Sequence, residues 1–281
     1  MGLKLQTVSA RQGWTWARDG ARLYLRRPIA FSLMFTLFML ATLLCALLPV
    51  VGIVALAGLP LLSLGFMVAS RSVLRGGTAH VRQFVEPLLG DRRRRRSLLL
   101  LCVLYGACAF AVVTLASWVF GNALDALQDA IATHGPLSPE AQQAKADPRM
   151  TTGSLTLALL LTAMSIPFWH APALVWWGGH GVWQALFSST LGVWRAKGAY
   201  FVYGVTWLAA SMILSLLIGI VAGALGATSL LAPVATALLL ALSTAFYVSL
   251  WFSFVDSFGS PDEEAPQPPI PPSEPASLPG P

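Results

Sequence analysis

Four long stretches of the chain contain no Asp, Glu, Lys or Arg: residues 29–70, 97–124, 150–194 and 198–255. About 20 apolar residues carry a helix across a ~30 Å hydrocarbon core, and no water-soluble core needs uncharged runs of this length. Alternation of polar and apolar residues in segments of about ten, the mark of a transmembrane barrel, is absent. The first stretch is long enough for two crossings, with Pro49 and Gly52 near its middle where a tight turn belongs. The pattern predicts an all-α polytopic transmembrane bundle of about six spans, near 29–48, 50–70, 98–120, 153–177, 201–223 and 231–255. Gly226 to Pro233 forms the expected last turn. The run 150–194 could also hold a second crossing after a bend at Pro172, giving seven helices and moving the C-terminus across the membrane. Gly178, Gly179 and Gly181, followed by Gln184, Ser188, Ser189 and Thr190, make that second crossing a poor one.

Shorter segments with helical periodicity accompany the spans. In residues 1–28, Arg11, Thr15, Arg18, Arg22 and Arg26 share one helix face, while Ala10, Trp14, Ala17, Ala21 and Tyr24 share another. A second segment has Val81, Phe84, Val85, Leu88 and Leu89, interrupted by Pro87, and a third has Trp183, Leu186, Phe187, Thr190 and Trp194. An apolar aromatic face opposite a basic one suits a helix lying in the membrane interface. Residues 29–258 form the expected transmembrane domain, and 259–281 the expected tail. From Ser260 onward the tail holds nine prolines with Asp262, Glu263, Glu264 and Glu274, a composition that cannot bury apolar area and predicts disorder.

Charge then orients the bundle. Only 11 % of residues are charged and 56 % are hydrophobic, against about 25 % charged in soluble domains. Of 18 Lys and Arg, six lie in residues 1–28, eight between Arg71 and Arg96, and two at Arg195 and Lys197. Residues 121–151 hold the other two, with four acids: Asp125, Asp129, Glu140 and Asp147. The positive-inside rule makes the basic side cytoplasmic, so a bacterial inner-membrane protein with both termini in the cytoplasm is expected. The first apolar block follows about 28 polar and amphipathic residues and is too long for a signal-peptide core, so no cleaved leader is expected. Arg92, Arg93, Arg94, Arg95 and Arg96, with Arg11, Arg18 and Arg22, suit contact with anionic lipid, each contributing roughly 1 kcal/mol near a charged surface. No aromatic platform accompanies the arginines, so nucleic acid is not an expected partner. The lipid bilayer and its anionic lipids are, together with a partner protein or a second copy of the chain.

Candidate chemistry is sparse. His170 is the ionisable group that stands out within a span, flanked by Pro167 and Pro172, which break the helix and free carbonyls. A neutral histidine hydrogen-bonded to such a carbonyl accounts for it as well as a proton-relay or ligand role does. Cys45, Cys102 and Cys108 lie in apolar blocks and behave as small hydrophobes. No carboxylate pair, HExxH, GxSxG or P-loop is present, and His80, His170 and His180 have no metal-ligand spacing. No enzyme activity, metal or cofactor is therefore expected. Small residues recur every fourth position at Ser211, Ser215, Gly219 and Gly223, and again at Ala237, Ala241 and Ala245. These stripes are expected to face each other or a neighbouring helix.

Gly13-Trp14, Arg27-Pro28, Gly58-Leu59-Pro60-Leu61-Leu62 leading to Arg71 and Gly76-Gly77, and Ala171-Pro172-Ala173-Leu174-Val175 resemble an uncharacterised family of proteobacterial multi-pass inner-membrane proteins. The resemblance covers most of residues 5–258 and implies fold and location, with no known substrate. The expected role is a non-enzymatic membrane component that binds lipid or a partner protein. The alternative is a small permease-like transporter that uses the Pro-broken fourth span.

Overall fold

A computed structural model describes residues 5–46, 57–135, 138–225 and 228–261. Its helices are α1 (Gln12–Arg26), α2 (Pro28–Ala46), α3 (Leu59–Leu74), α4 (Glu86–Leu89), α5 (Arg92–His134), α6 (Pro139–Lys145), α7 (Pro148–Phe168), α8 (Ala171–Trp176), α9 (Val182–Arg195), α10 (Lys197–Leu225) and α11 (Thr228–Phe258). A single 3-10 turn, Val81–Phe84, precedes α4. No strand occurs among the described residues, and the all-α bundle is what the hydropathy pattern requires.

Among the described residues, five segments are long and apolar enough to cross a membrane: Pro28–Cys45, Arg92–Trp118, Pro148–Trp176, Lys197–Ala224 and Pro233–Phe258. The second expected span, 50–70, begins in residues outside those described, and its described part is the 16-residue α3. The alternative extra crossing within 150–194 is the 14-residue α9, roughly 21 Å long and short of a ~30 Å core. The last expected turn differs too. Residues 226 and 227 lie outside the description, but α11 already runs from Thr228 with Pro233 inside it. The tail beyond 261 is likewise outside the described residues.

The third expected span, 98–120, is the middle of a much longer helix. α5 takes the five arginines as its first residues and continues for 43 residues to His134. Arg, Ala, Leu and Gln are all good helix formers, and nothing interrupts them until Gly135, whose φ of 90° suits a residue without a side chain. The described part of the acidic connection, from Ser138, holds the further helix α6. Ser138 caps α6 by accepting from the Ala141 N–H at 3.1 Å, and Asp147 caps α7 by accepting from the Arg149 N–H at 2.8 Å.

Packing is concentrated at the basic end. From Thr244 onward α11 buries Ala245, Val248, Leu250, Trp251, Phe254 and Phe258. Val248 joins a cluster with Phe31, Met34, Leu62 and Phe66, and Trp251 and Phe254 join a second with Leu174 and Leu101. α1 packs against α10 and α11. Its buried face is Gly13, Trp16, Ala17, Gly20 and Leu23, whereas Trp14 is 57 % exposed. Of the apolar face read from the sequence, Ala17 turns inward, while Trp14 points away from the bundle. The reason is distance: a Cβ on Gly20 would lie 2.1 Å from Ser249 Cβ, and one on Gly13 2.1 Å from the Ala199 carbonyl oxygen. Only the glycine-bearing face can come this close.

Candidate functional site

The broken fourth span organises the most polar interior of the molecule. Pro167 sits in the last turn of α7, and Pro172 has no N–H to return to Phe168, so the helix opens at Trp169 and His170 before α8 begins. The open turn is bridged by a side chain from α9. Ser189 Oγ donates to the Ile166 carbonyl at 3.2 Å and accepts from the His170 N–H at 3.0 Å. One hydroxyl thus spans the two groups that an unbroken helix would join directly.

The His170 side chain is fully buried. Its Nε2 lies 2.5 Å from Tyr200 Oη, and that hydroxyl lies 3.3 Å from Ser257 Oγ. Phe254 and Phe258 flank the imidazole at 5.8 and 5.6 Å between centroids. Nδ1 has no partner among the described residues. If Tyr200 donates to Nε2, the ring proton sits on Nδ1, against aromatic walls.

A second polar arm ties α1 to the same place. Asp256 Oδ2 accepts from Gln12 Nε2 at 2.6 Å and from Trp16 Nε1 at 2.8 Å. Trp16 is 1 % exposed and stacks beside Tyr200 and Tyr203, centroids 5.2 and 5.9 Å apart. Tyr203 Oη in turn lies 2.6 Å from Ser249 Oγ. The seam runs from Gln12 through Asp256, Trp16, Tyr200 and His170 to Ser189. It joins α1, α9, α10 and α11 to the α7–α8 break. Chemically it is two hydrogen-bonded groups, one centred on the Asp256 carboxylate and one on the Tyr200 hydroxyl and His170 imidazole, joined by the ring contact of Trp16 with Tyr200. No His, Cys, Asp and Glu cluster of metal-binding geometry occurs among the described residues.

His170, Pro167 and Pro172 are thus brought together, as their spacing implies, while the partners that make the site lie far off in sequence. Tyr200, Ser189, Asp256 and Trp16 were not singled out by sequence. One signal was available: the four-residue stripe of α11 continues through Ser249, Ser253 and Ser257, all buried.

The arginines occupy a different surface. Arg92 to Arg96 form the first turn and a half of α5 and are all exposed. Successive residues step about 100° around a helix, so the five make a collar and not a stripe. Asp91 precedes them without capping the helix, and no acidic residue lies in the first turn. They make no ion pair among the described residues. Cations at a helix N-terminus meet the positive end of the macrodipole, so this collar carries an uncompensated field. Arg11, Arg18 and Arg22 lie on the exposed side of α1, but Asp19 engages two of them, Arg18 at 2.8 Å and Arg22 at 3.8 Å. The hydrogen bond that Arg18 donates to Asp19, with the charge of that carboxylate, raises the Arg18 pKa.

The expected packing stripes separate into two kinds. Ala245 is buried, whereas Ser215, Gly219, Gly223 and Ala237 are exposed. A Cβ placed on Gly219 or Gly223 would meet nothing within 4 Å. From Gly204 to Ala224 no residue of α10 is fully buried, so its outer stripe does not meet α11 within the chain.

The chain is 30 % identical over 276 residues to a protein of Burkholderia thailandensis named "Probable inner membrane protein". The match covers 94 % of this chain and 97 % of that one. No family model matches the chain, and no solved structure matches it.

Proposed function

The chain belongs to the family of multi-pass inner-membrane proteins that includes the Burkholderia thailandensis relative, and from that premise we propose a non-enzymatic membrane component that binds anionic lipid at its basic face. The observation that supports this reading most is the collar Arg92–Arg96, exposed, unpaired among the described residues and set on a helix terminus that already repels cations. Phosphate oxygens supply the acceptors that the protein does not. Arg11 adds to the same face, and Arg18 and Arg22 contribute less because Asp19 shares them. The basic face is cytoplasmic in this reading, with both termini inside. Reporter fusions at residue 140 and at the C-terminus test the orientation, since an external C-terminus removes it.

The lipid contact is tested by replacing Arg92–Arg96 with Gln and measuring thermal unfolding in nanodiscs of phosphatidylcholine with and without phosphatidylglycerol. The natural chain gains stability from the anionic lipid, and the variant loses most of that gain. An equal gain in both rejects the reading.

The break at His170 favours the permease-like alternative, because a buried imidazole with an unpartnered Nδ1 is a group that a transported proton or solute could use. Under the leading reading His170→Ala leaves the lipid preference unchanged. Under the alternative it abolishes proteoliposome flux.

A further inference from the structure

Four helices leave a cavity between them. Ser63 of α3, Tyr105 of α5, Phe168 and Trp169 at the end of α7, and Phe246 and Tyr247 of α11 are among its walls, and its volume is about 180 Å³. Tyr105 lies nine residues beyond Arg96, roughly 14 Å along the helix, which is near the middle of a ~30 Å core. The cavity is not closed.

Its walls are aromatic and arranged at right angles. Tyr105 meets Phe168 edge to face with centroids 5.0 Å apart, and Phe246 meets Tyr247 at 81° and 5.5 Å. None of the lining residues is charged. Ser63 and Ser165 turn their hydroxyls back to the carbonyls of Pro60 and Leu161 in their own helices, at 2.9 and 2.7 Å. The hydroxyls of Tyr105 and Tyr247 make no hydrogen bond among the described residues, and neither oxygen is sealed inside the protein, so both stay open to an acceptor in the cavity. A phenol O–H kept in hydrocarbon without a partner is costly, and two on the walls of one cavity call for an acceptor that the chain lacks.

We propose that this cavity binds one planar, uncharged, carbonyl-bearing ring that enters from the bilayer, the chemistry of a quinone head group. Size selects one ring, because a cavity of about 150 Å³ takes up benzene while drug-sized sites start near 300 Å³. The tail of such a molecule stays in the lipid. Perpendicular aromatic walls accept a flat ring by stacking and edge contact, and the two phenols donate to its carbonyl oxygens. The absence of charge in the lining rejects an anionic or cationic head. This site is separate from the arginine collar and stands or falls independently of it.

The test uses the full chain in phosphatidylcholine nanodiscs with an azido-benzoquinone bearing a decyl tail, photolysed and mapped by mass spectrometry. Labelling is expected at residues 105, 168–169 or 246–247, displaced by decyl-benzoquinone and not by decanol. Tyr105→Phe with Tyr247→Phe should weaken saturable labelling roughly tenfold, as expected for two lost hydrogen bonds of about 0.7 kcal/mol each. Ser165→Phe, which fills the cavity from α7, should abolish it. Labelling spread evenly over the exposed face of α10, equal displacement by decanol, or unchanged labelling of the double Phe chain overturns the proposal. The competition arms need only the natural chain, so a variant that fails to fold leaves the outcome decisive.

Discussion

α1 and α9 have similar sequences in outline and opposite fates. Each is a short amphipathic helix of 14 or 15 residues with two tryptophans and a basic C-terminal residue. α1 buries Trp16 in the seam and leaves Trp14 out, whereas α9 keeps both Trp183 and Trp194 out, at 74 % and 70 % exposure. The inner face of α9 is Val182, Ala185, Ser189 and Gly192, which packs without inserting an aromatic ring. What separates them is the neighbour that each glycine meets. Gly20 lies against the backbone and Cβ of Ser249, whereas Gly192 faces the tip of the Phe258 ring. One contact cannot yield and the other can. Amphipathic periodicity therefore says that a helix has two faces, and small residues against rigid backbone say which face goes deep.

The contrast can be broken most directly at Gly20. In an ordinary helix interior, Gly→Ala adds about 1 kcal/mol of stability. Gly20→Ala instead should cost about 3 kcal/mol, the upper range for forced overpacking, seen as a lower midpoint in detergent thermal melts. Next comes the polar tie. Asp256→Ala leaves Trp16 Nε1 and Gln12 without their acceptor and should cost about 2 kcal/mol, with Trp16 fluorescence shifting toward a wetter environment. Gly192→Ala should move stability by less than about 1 kcal/mol, because a ring tip can shift. A loss as large as that of Gly20→Ala would erase the distinction. The smallest effect belongs to Trp183→Ala with Trp194→Ala. Stability should change by no more than about 0.5 kcal/mol, read in the same detergent thermal melts.

Long uncharged runs made the helical bundle legible, because hydrocarbon permits few alternatives. The break at His170 was legible too, since Pro167 and Pro172 act locally. The partners of His170 were not. Tyr200 and Ser189 are among several polar residues on apolar or interfacial helices, and only tertiary contact distinguishes them from neighbours such as Thr206 or Ser188. Asp256 stands just past an uncharged block and looks like a boundary marker until Gln12 and Trp16, some 240 residues away in sequence, are seen to bond it. The inner face of α1 was not legible for a similar reason. Bulk and hydrophobicity favour Trp14, but close approach is governed by Gly13 and Gly20.

α5 has a consequence of a different kind. Its 43 residues make a rod roughly 65 Å long, about twice the thickness of the hydrocarbon core. The 16 residues after Trp118 add roughly 24 Å of helix to the apolar span, and under the lipid contact proposed for the arginines that length extends past the opposite surface. The helix works as a mast stepped in the membrane, and it fixes a standoff distance on the far side. Whatever meets α6 does so at a height that the bilayer surface alone would not set.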